Sequence, residues 1–152
     1  MATPFPFVSG QILTAAQMNS IGEAAVSFTP TFTNYTRGNG TSIAYYTQVN
    51  KLLYVYVQET LGSTSLMGTD PSMALPVAAA RSTSVPITKM RIDDTGANVF
   101  FGTVMPKSTT EIGLYADNAA GTYLAFTTIT AAIPMTWAST DKFAFAFIYE
   151  TI

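Results

Sequence analysis

The sequence predicts an all-β protein, an antiparallel β-sandwich of jelly-roll type that follows a short N-terminal arm and a mini-helix. Three observations indicate this class. Threonine, a β-branched residue that favours strands, is abundant along the chain. From residue 25 onward almost no helical periodicity is present. Short β-type runs alternate there with turn residues at intervals of roughly 8–15 residues, the pattern of sandwiches and barrels.

Residues 1–22 form the first predicted unit. Pro4 and Pro6 impose an extended start, because proline fixes φ and restricts the residue before it. A short helix follows, in which Thr14 and Gln17 have the spacing of a capping box. A helix this short is not stable alone in water, so we expect it to dock on its own β-domain or on a neighbouring protein. The predicted docking residues are Phe5, Phe7, Ile12, Leu13, Met18 and Ile21.

Residues 23–152 form the second predicted unit, the β-sandwich domain. Glycine, asparagine and aspartate mark the predicted turns between its strands, because they tolerate positive φ or bond to their own backbone. One such predicted turn covers residues 68–71. The candidate strands between the turns are Val26–Phe32, Ser42–Gln48, Leu52–Leu61, Ser84–Ile92, Val99–Met105, Glu111–Tyr115, Thr127–Ile133 and Lys142–Tyr149.

Two of these candidate strands are apolar on both faces. Aliphatic residues alternate with tyrosines in the strand that begins at Leu52, and phenylalanines alternate with alanines in the strand that begins at Lys142. A half-exposed antiparallel strand alternates apolar with polar residues instead. A loop, the N-terminal arm or another subunit is therefore expected to cover the second face. The candidates for a subunit interface or core are Tyr54, Tyr56, Phe143, Phe145 and Phe147.

The composition excludes several classes of function. The 152 residues contain no histidine and no cysteine, which removes Ser-His-Asp triads, thiolate chemistry, disulfides and the preferred ligands of zinc. The formal net charge is −2 and the basic residues are scattered, so we expect no nucleic-acid partner. No apolar run is long enough to span a bilayer, and the N-terminus lacks the basic region of a signal peptide, so we expect no membrane partner.

The low charge is itself informative. Charged residues make up 11% of the chain, against about 25% in an average soluble domain. A free monomer usually relies on charge to remain dispersed. The composition therefore indicates a β-rich subunit of an assembly.

The sequence offers few candidates for chemistry. Asp94-Thr95-Gly96 matches the triplet of aspartic proteases, but Arg91 makes its surroundings polar, and the same triplet is an ordinary hairpin turn. Asp117-Asn118 together with Asp70 or Asp141 could supply oxygen ligands to Ca²⁺, although turn stabilisation is the favoured interpretation. The carboxylates show no spacing that indicates a glycosidase pair. We predict no enzyme activity, no catalytic residue, no metal site and no cofactor.

Aromatic residues in or near predicted loops provide an alternative binding function. Rings exposed at loops stack on sugars, although such residues also cap the ends of sandwiches. The candidate glycan contacts are Tyr35, Tyr115 and Tyr123.

The opening run Phe-Val-Ser-Gly-Gln-Ile-Leu-Thr-Ala-Ala-Gln-Met-Asn-Ser-Ile-Gly, which starts at Phe7, resembles the start of small structural proteins of tailed bacteriophages. The continuation is similar too, at Phe28-Thr29-Pro30-Thr31-Phe32-Thr33, Gly38-Asn39-Gly40-Thr41 and Leu53-Tyr54-Val55. The resemblance is clear over the first half of the chain and loose over the rest. It implies a Thr/Gly-rich β-sandwich, commonly trimeric, that is carried on the virion. Tail-fibre, minor-tail and virion surface proteins share these features, so the resemblance leaves capsid and tail positions open.

Together these expectations describe a non-enzymatic phage virion structural protein, made in the host cytoplasm and carried on the virion. We expect a capsid decoration (cement) protein, a homotrimer that bridges capsomers by burying apolar surface against the major capsid protein or another virion protein. The chain is short and has no shaft repeats or heptads, which favours cement over a fibre. The alternative is a receptor-binding tail-fibre or tail-tip protein that contacts host surface glycan.

Overall fold

The computed structural model describes residues 25–152 together with Ile12, Thr14 and Ala15. This part of the chain forms ten β-strands and one 3-10 turn at Ser82–Ser84. The strands are β1 (Val26–Ser27), β2 (Phe32–Thr36), β3 (Thr41–Val49), β4 (Leu52–Thr60), β5 (Leu66–Ala74), β6 (Thr88–Asp94), β7 (Asn98–Pro106), β8 (Glu111–Asn118), β9 (Ala125–Thr128) and β10 (Lys142–Glu150). The predicted all-β antiparallel class is confirmed, and the jelly-roll sandwich within it stays a prediction.

All ten strands belong to one sheet, and that sheet is curled into a half-barrel. Its order is β1-β3-β4-β10-β6-β7-β8-β5-β2, with β9 beside β8. β1 and β2 are consecutive in sequence but lie at opposite ends of this order. Residues 28–31 join β1 to β2 and residues 37–40 join β2 to β3, so both connections cross between the two ends of the sheet. A four-residue connection makes five Cα–Cα steps and spans at most about 18 Å. The two ends must therefore approach one another, which requires the curl.

The core lies on the inner side of the curl. Inward-facing residues of β4 and β10 alternate with outward-facing ones, as the period of a strand requires. The ring of Tyr35 on β2 meets the ring of Phe143 on β10 edge to face, with centroids 5.3 Å apart. Trp137 also meets Phe143 edge to face, at 6.3 Å. The first and last parts of the described chain thus pack against each other across the interior.

Strand β5 has no counterpart among the candidate strands. Its sequence includes residues 68–71, which were expected to form a turn because Asp and Pro favour turns. In the structure Asp70 has a left-handed φ of 58°, and the pairing of β5 with β2 shifts register between Thr33 and Tyr35. A bulge therefore absorbs the turn-forming residues, and the strand continues through them.

Two other candidate strands differ from the structure by four residues or more at one end. The strand expected over Ser84–Ile92 begins at Thr88, because Ser82–Ser84 forms the 3-10 turn. The strand expected over Thr127–Ile133 is β9, which starts two residues earlier and ends at Thr128.

The strand expected over Val26–Phe32 is divided in two. β1 ends at Ser27 and β2 begins at Phe32, and buried Pro30 lies between them. Proline has no N–H with which to continue a ladder, so the chain leaves one end of the sheet there and joins the other.

Candidate functional site

The predicted docking residues fall mostly outside the described part of the chain. Ile12 is described, and its side chain is 89% exposed. The others lie outside the described residues: Phe5, Phe7, Leu13, Met18 and Ile21. Docking through the N-terminal unit therefore stays a prediction, as does the division of the chain at residue 22.

The candidates for interface or core divide between the two sides of the sheet. Phe143, Phe145 and Phe147 are at most 4% exposed and belong to the core of this chain. Tyr54 and Tyr56 point outward from β4, and Tyr54 is 36% exposed. Within this set, only the two tyrosines are available to a partner.

The three candidate glycan contacts do not lie on one surface. Tyr35 was expected near a loop, but it lies in β2, points into the core and is 6% exposed, so it cannot stack on a sugar. Tyr115 on β8 is half-buried, and its ring lies 5.2 Å from that of Phe126. Tyr123 is 84% exposed in the loop before β9.

The Asp94-Thr95-Gly96 triplet forms the turn of the β6–β7 hairpin. The N–H of Ala97 donates to the carbonyl of Asp94 at 2.9 Å, and Gly96 has φ 89°, a left-handed value that suits glycine. The N–H of Thr95 donates to Asp141 Oδ1 at 3.1 Å. These contacts are those of a hairpin turn anchored on the segment before β10.

The aspartates considered for Ca²⁺ each have another partner. Asp117 pairs with Lys89 at 2.7 Å, and Asp70 pairs with Lys107 at 2.7 Å. Asp141 accepts backbone N–H groups. Within the described ranges, no group of three or more acidic residues is placed to hold a metal ion.

A surface of exposed tyrosine and aliphatic side chains covers the outer side of β3, β4 and β10. We call it the tyrosine face and define it by Ile43, Tyr45, Tyr54, Tyr56 and Ile148. Ile43 is 56% exposed and Ile148 is 53% exposed. The face forms because Tyr45 pairs with Tyr56 across β3 and β4, and Ile148 pairs with Tyr54 across β10 and β4. Isolated exposed apolar residues are ordinary, whereas a contiguous group of this kind marks an interaction surface.

The tyrosine rings of this face pack against each other. The rings of Tyr45 and Tyr56 are stacked, with centroids 5.1 Å apart and an interplanar angle of 22°. Tyr54 lies 6.4 Å from Tyr45, and the Tyr56 hydroxyl donates to Gln58 Oε1 at 3.1 Å. Burial, together with the neighbouring Tyr45, raises the pKa of Tyr54 above its ordinary value.

The tyrosine face is bordered by charge along β6 as well as at its two ends, because Arg91 and Asp93 of β6 lie directly opposite Ala144 and Lys142 of β10 on the same side of the sheet, and Arg91 is exposed. Of the outward positions on its three strands, all within the described residues, the charged ones are Lys142 and Glu150, at opposite ends of β10. Glu150 accepts from Arg81 at 2.6 Å. The outward positions are Thr41, Ile43, Tyr45, Thr47, Val49, Leu52, Tyr54, Tyr56, Gln58, Thr60, Lys142, Ala144, Ala146, Ile148 and Glu150.

A second exposed apolar surface lies near β7 and β9. We call it the β7–β9 surface; its members are Val99, Phe101, Leu124 and Phe126, each 49–62% exposed. All but Phe126 line an open pocket together with Lys89, Phe100, Asp117 and Ala119. The pocket's charges are already paired, because Asp117 accepts both from Lys89 and from Thr103, the latter at 2.6 Å.

Sequence reasoning missed one buried charge cluster. Glu59 is fully buried, and its carboxylate accepts two hydrogen bonds from Arg37, at 2.7 and 2.8 Å, and one from the Ser42 hydroxyl at 2.6 Å. Burial raises the pKa of the adjacent Tyr35 to about 12, with the charge of Glu59 adding to the effect and that of Arg37 opposing it. The sequence carries one signal for this cluster, because Glu59 falls on the same alternate, inward-facing positions of β4 as Leu53, Val55 and Val57.

Comparison of the chain with protein families, with curated proteins and with solved structures gave no match. The resemblance of its N-terminal half to phage structural proteins therefore stays a prediction. In the described part of the chain, no helix has the length and apolar character needed to cross a membrane.

Proposed function

We propose that this chain is a non-enzymatic virion structural protein of a tailed bacteriophage, a homotrimeric capsid decoration (cement) protein. It would bind across neighbouring capsomers and stabilise the particle. The observation that carries the proposal is the tyrosine face, an outward sheet surface with exposed Ile43, Tyr54 and Ile148 and with no charged residue at the outward positions of β3 and β4. Such a surface is expected of a protein that functions within an assembly.

The proposed mechanism is burial of apolar surface. Each Å² of apolar area removed from water contributes about 25 cal/mol, and assembly must exceed the cost of lost translational and rotational freedom. The described chain exposes two apolar surfaces, the tyrosine face and the β7–β9 surface, so one can contact another copy while the other contacts the particle. The apolar N-terminal residues would add a third contact, with the major capsid protein or another virion protein.

The jelly-roll sandwich is part of the same proposal. Contacts across the interior between β2 and β10, such as that of Tyr35 with Phe143, support a two-layer arrangement of the curled sheet. A two-layer β-domain of this kind is compact enough to lie on a shell without a shaft.

A receptor-binding tail-fibre or tail-tip protein is the second candidate. Tyr123 favours it, because this ring is 84% exposed in a loop beside exposed Leu124 and Phe126. Aromatic rings in such loops stack on sugars. Reproducible binding to a glycan array that Tyr123→Ala abolishes would support this candidate over cement.

A sedimentation assay tests the proposal. Purified full-length chain is mixed with phage particles that lack it, and bound chain is measured in the pellet. We expect saturable binding that Phe5→Ser with Phe7→Ser weakens at least tenfold, because these residues are the predicted contacts. Leu66→Ser, a change at an exposed residue of β5, is the matched control and should bind as the parent does. A parent chain that never sediments with particles would contradict the proposal.

A further inference from the structure

We propose that the pocket of the β7–β9 surface binds a neutral sugar ring, which packs its C–H face on Phe101 and hydrogen-bonds to Lys89 and Asp117. The inference goes beyond the proposed function, because it assigns a small-molecule ligand to the described domain. None of these three residues is among the candidate glycan contacts predicted from the sequence. The tyrosine face and the N-terminal residues remain for contacts with other proteins.

The pocket lies where strands β7 and β8 separate. Their ladder of paired residues ends at Gly102 and Ala116, whereas β7 extends beside β6 back to Asn98 and β8 extends beside β9 to Asn118. The pocket opens between these two segments and has a volume of about 410 Å³. Sites for small ligands usually measure about 300–1,000 Å³, so the space suits a ligand the size of a sugar ring.

One wall of the pocket is apolar and includes an accessible aromatic ring. Phe101 is 62% exposed, and no other aromatic ring contacts it within the described part of the chain. Leu124 lines the pocket as well and is 61% exposed. A sugar ring has a face of C–H groups that packs on an aromatic ring. Binding of such a ligand would remove both exposed side chains from water, which is favourable.

Lys89 and Asp117 form the polar side of the pocket, and both are held in place. The ammonium of Lys89 donates to Asp117 Oδ2 at 2.7 Å and to Thr103 Oγ1 at 3.1 Å. The Thr103 hydroxyl donates to Asp117 Oδ1 at 2.6 Å, and the Asp117 side chain is 12% exposed. Groups that are fixed before binding lose little freedom when a ligand arrives, which favours affinity.

The same two charged groups keep unused hydrogen-bonding capacity. An ammonium has three N–H donors, of which Lys89 uses two, and a carboxylate has about four acceptor positions, of which Asp117 uses two. A hydroxyl both donates and accepts, so neighbouring hydroxyl groups of a sugar can accept from Lys89 and donate to Asp117. A purely apolar ligand would remove water from both groups without replacing its hydrogen bonds, which is costly.

The charge balance of the pocket favours a neutral ligand. Lys89 and Asp117 neutralise each other. Arg91, which lies opposite Phe101 on β6, pairs with Asp93 at 2.8 Å. An ionic ligand would therefore meet no uncompensated charge to offset the loss of its own hydration. A sugar offers hydrogen bonds to both members of the pair and brings no charge.

A titration of the full-length chain with single sugars, followed by chemical-shift changes in its NMR spectrum, tests the inference. The probes are glucose, galactose, mannose and N-acetylglucosamine. We expect at least one of them to bind saturably, with a dissociation constant on the order of 1 mM for a ligand of this size. Glucuronate, which adds a carboxylate to the glucose ring, should bind more weakly than the best neutral probe. No phage particle is present, so the result does not depend on the proposed function.

Three substitutions separate the pocket from its surroundings. Phe101→Ala removes the ring and Lys89→Met removes the donor, so each should weaken binding by about fivefold or more. Both side chains are more than half exposed, so we expect both variants to fold. Phe126→Ala is the matched control, because Phe126 is 53% exposed on β9 but does not line the pocket, and it should bind as the parent does.

The methyl glycoside of the best probe identifies the source of the ring. Its blocked anomeric position mimics the end of a glycan chain, so binding as tight as that of the free sugar would assign the pocket to terminal glycan rings. Lost binding would assign it to a free sugar.

Three results would overturn the inference. The first is that none of the neutral sugars binds, and the second is that glucuronate binds more tightly than all of them. The third is binding that either pocket variant leaves unchanged, or that Phe126→Ala weakens as much as Phe101→Ala does.

Discussion

Arg37 and Glu59 hold the two ends of the sheet together through paired hydrogen bonds of 2.7 and 2.8 Å. Arg37 follows β2 at one end of the sheet, and Glu59 lies in β4 near the other end. Arg37 also donates to the carbonyl of Pro30 at 3.2 Å, so the same guanidinium fixes both connections that cross between the ends. The charge pair therefore maintains the curl of the sheet.

Arg37→Gln should destabilise the fold. The substitution leaves the fully buried carboxylate of Glu59 without its cation, and breaking a buried pair from one side costs about 3–5 kcal/mol. Urea unfolding of the parent and the variant measures this loss in the free energy of unfolding. The control is Arg81→Gln, which breaks an exposed pair with Glu150 and should cost at most about 1 kcal/mol. Equal losses in the two variants would show that the Arg37 pair does not hold the curl.

The stability of the protein should fall steeply above pH 10. Burial raises the pKa of both Tyr35 and Tyr149 to about 12, whereas an unfolded tyrosine titrates near 10. Each ring keeps its proton longer in the folded state, so its contribution is complete below about pH 10 and is lost as the pH rises toward 12. The loss is on the order of 2–3 kcal/mol per tyrosine. Urea midpoints measured from pH 8 to pH 12 check this, and a flat profile would contradict it.

Removing the two buried hydroxyl groups should have unequal effects. The hydroxyl of Tyr149 donates to the carbonyl of Val77 at 2.7 Å, while that of Tyr35 lies near Glu59 and Ser65 but makes no hydrogen bond of normal geometry within the described residues. Tyr149→Phe should cost about 1–2 kcal/mol, and Tyr35→Phe should be neutral or slightly stabilising. Thermal unfolding of the two variants side by side measures the difference. A larger loss in Tyr35→Phe would mean that its hydroxyl makes a bond.

Phe143 and Tyr54 should respond differently to truncation, although both lie on strands that are apolar on both faces. Phe143 is 1% exposed and packs against Phe32, Tyr35 and Trp137, so Phe143→Ala should cost about 3–5 kcal/mol. Tyr54 lies on the outer face, so Tyr54→Ala should cost at most about 1 kcal/mol at a concentration where the chain is monomeric. If chemical denaturation showed similar losses of unfolding free energy in the two variants, both side chains would belong to one core.

Local sequence pattern predicted most of the strands and the class of the fold. The alternation of residue types along β4 and β10 was sufficient to identify both strands, because side chains alternate between the two faces of a strand whatever covers each face. It could not say which face is inner, since both are apolar. The structure resolves this: Phe143 lies inside with Val55, and Tyr54 lies outside.

The errors arose where a distant contact overrides local chemistry. β5 includes Asp70 and Pro71, which favour a turn, yet pairing with β2 accommodates them in a bulge. Tyr35 was expected in or near a loop, because it falls between the candidate strands Val26–Phe32 and Ser42–Gln48. The close approach of Arg37 to Glu59 depends on the curl of the whole sheet, which no local pattern encodes.

The copy number of this chain on purified phage particles tests the proposed function most directly. Quantitative mass spectrometry against the major capsid protein gives the ratio. A decoration protein that bridges capsomers should be present in numbers comparable to the capsid subunits. A handful of copies per particle, or none, would contradict the account, and the former result would favour the tail.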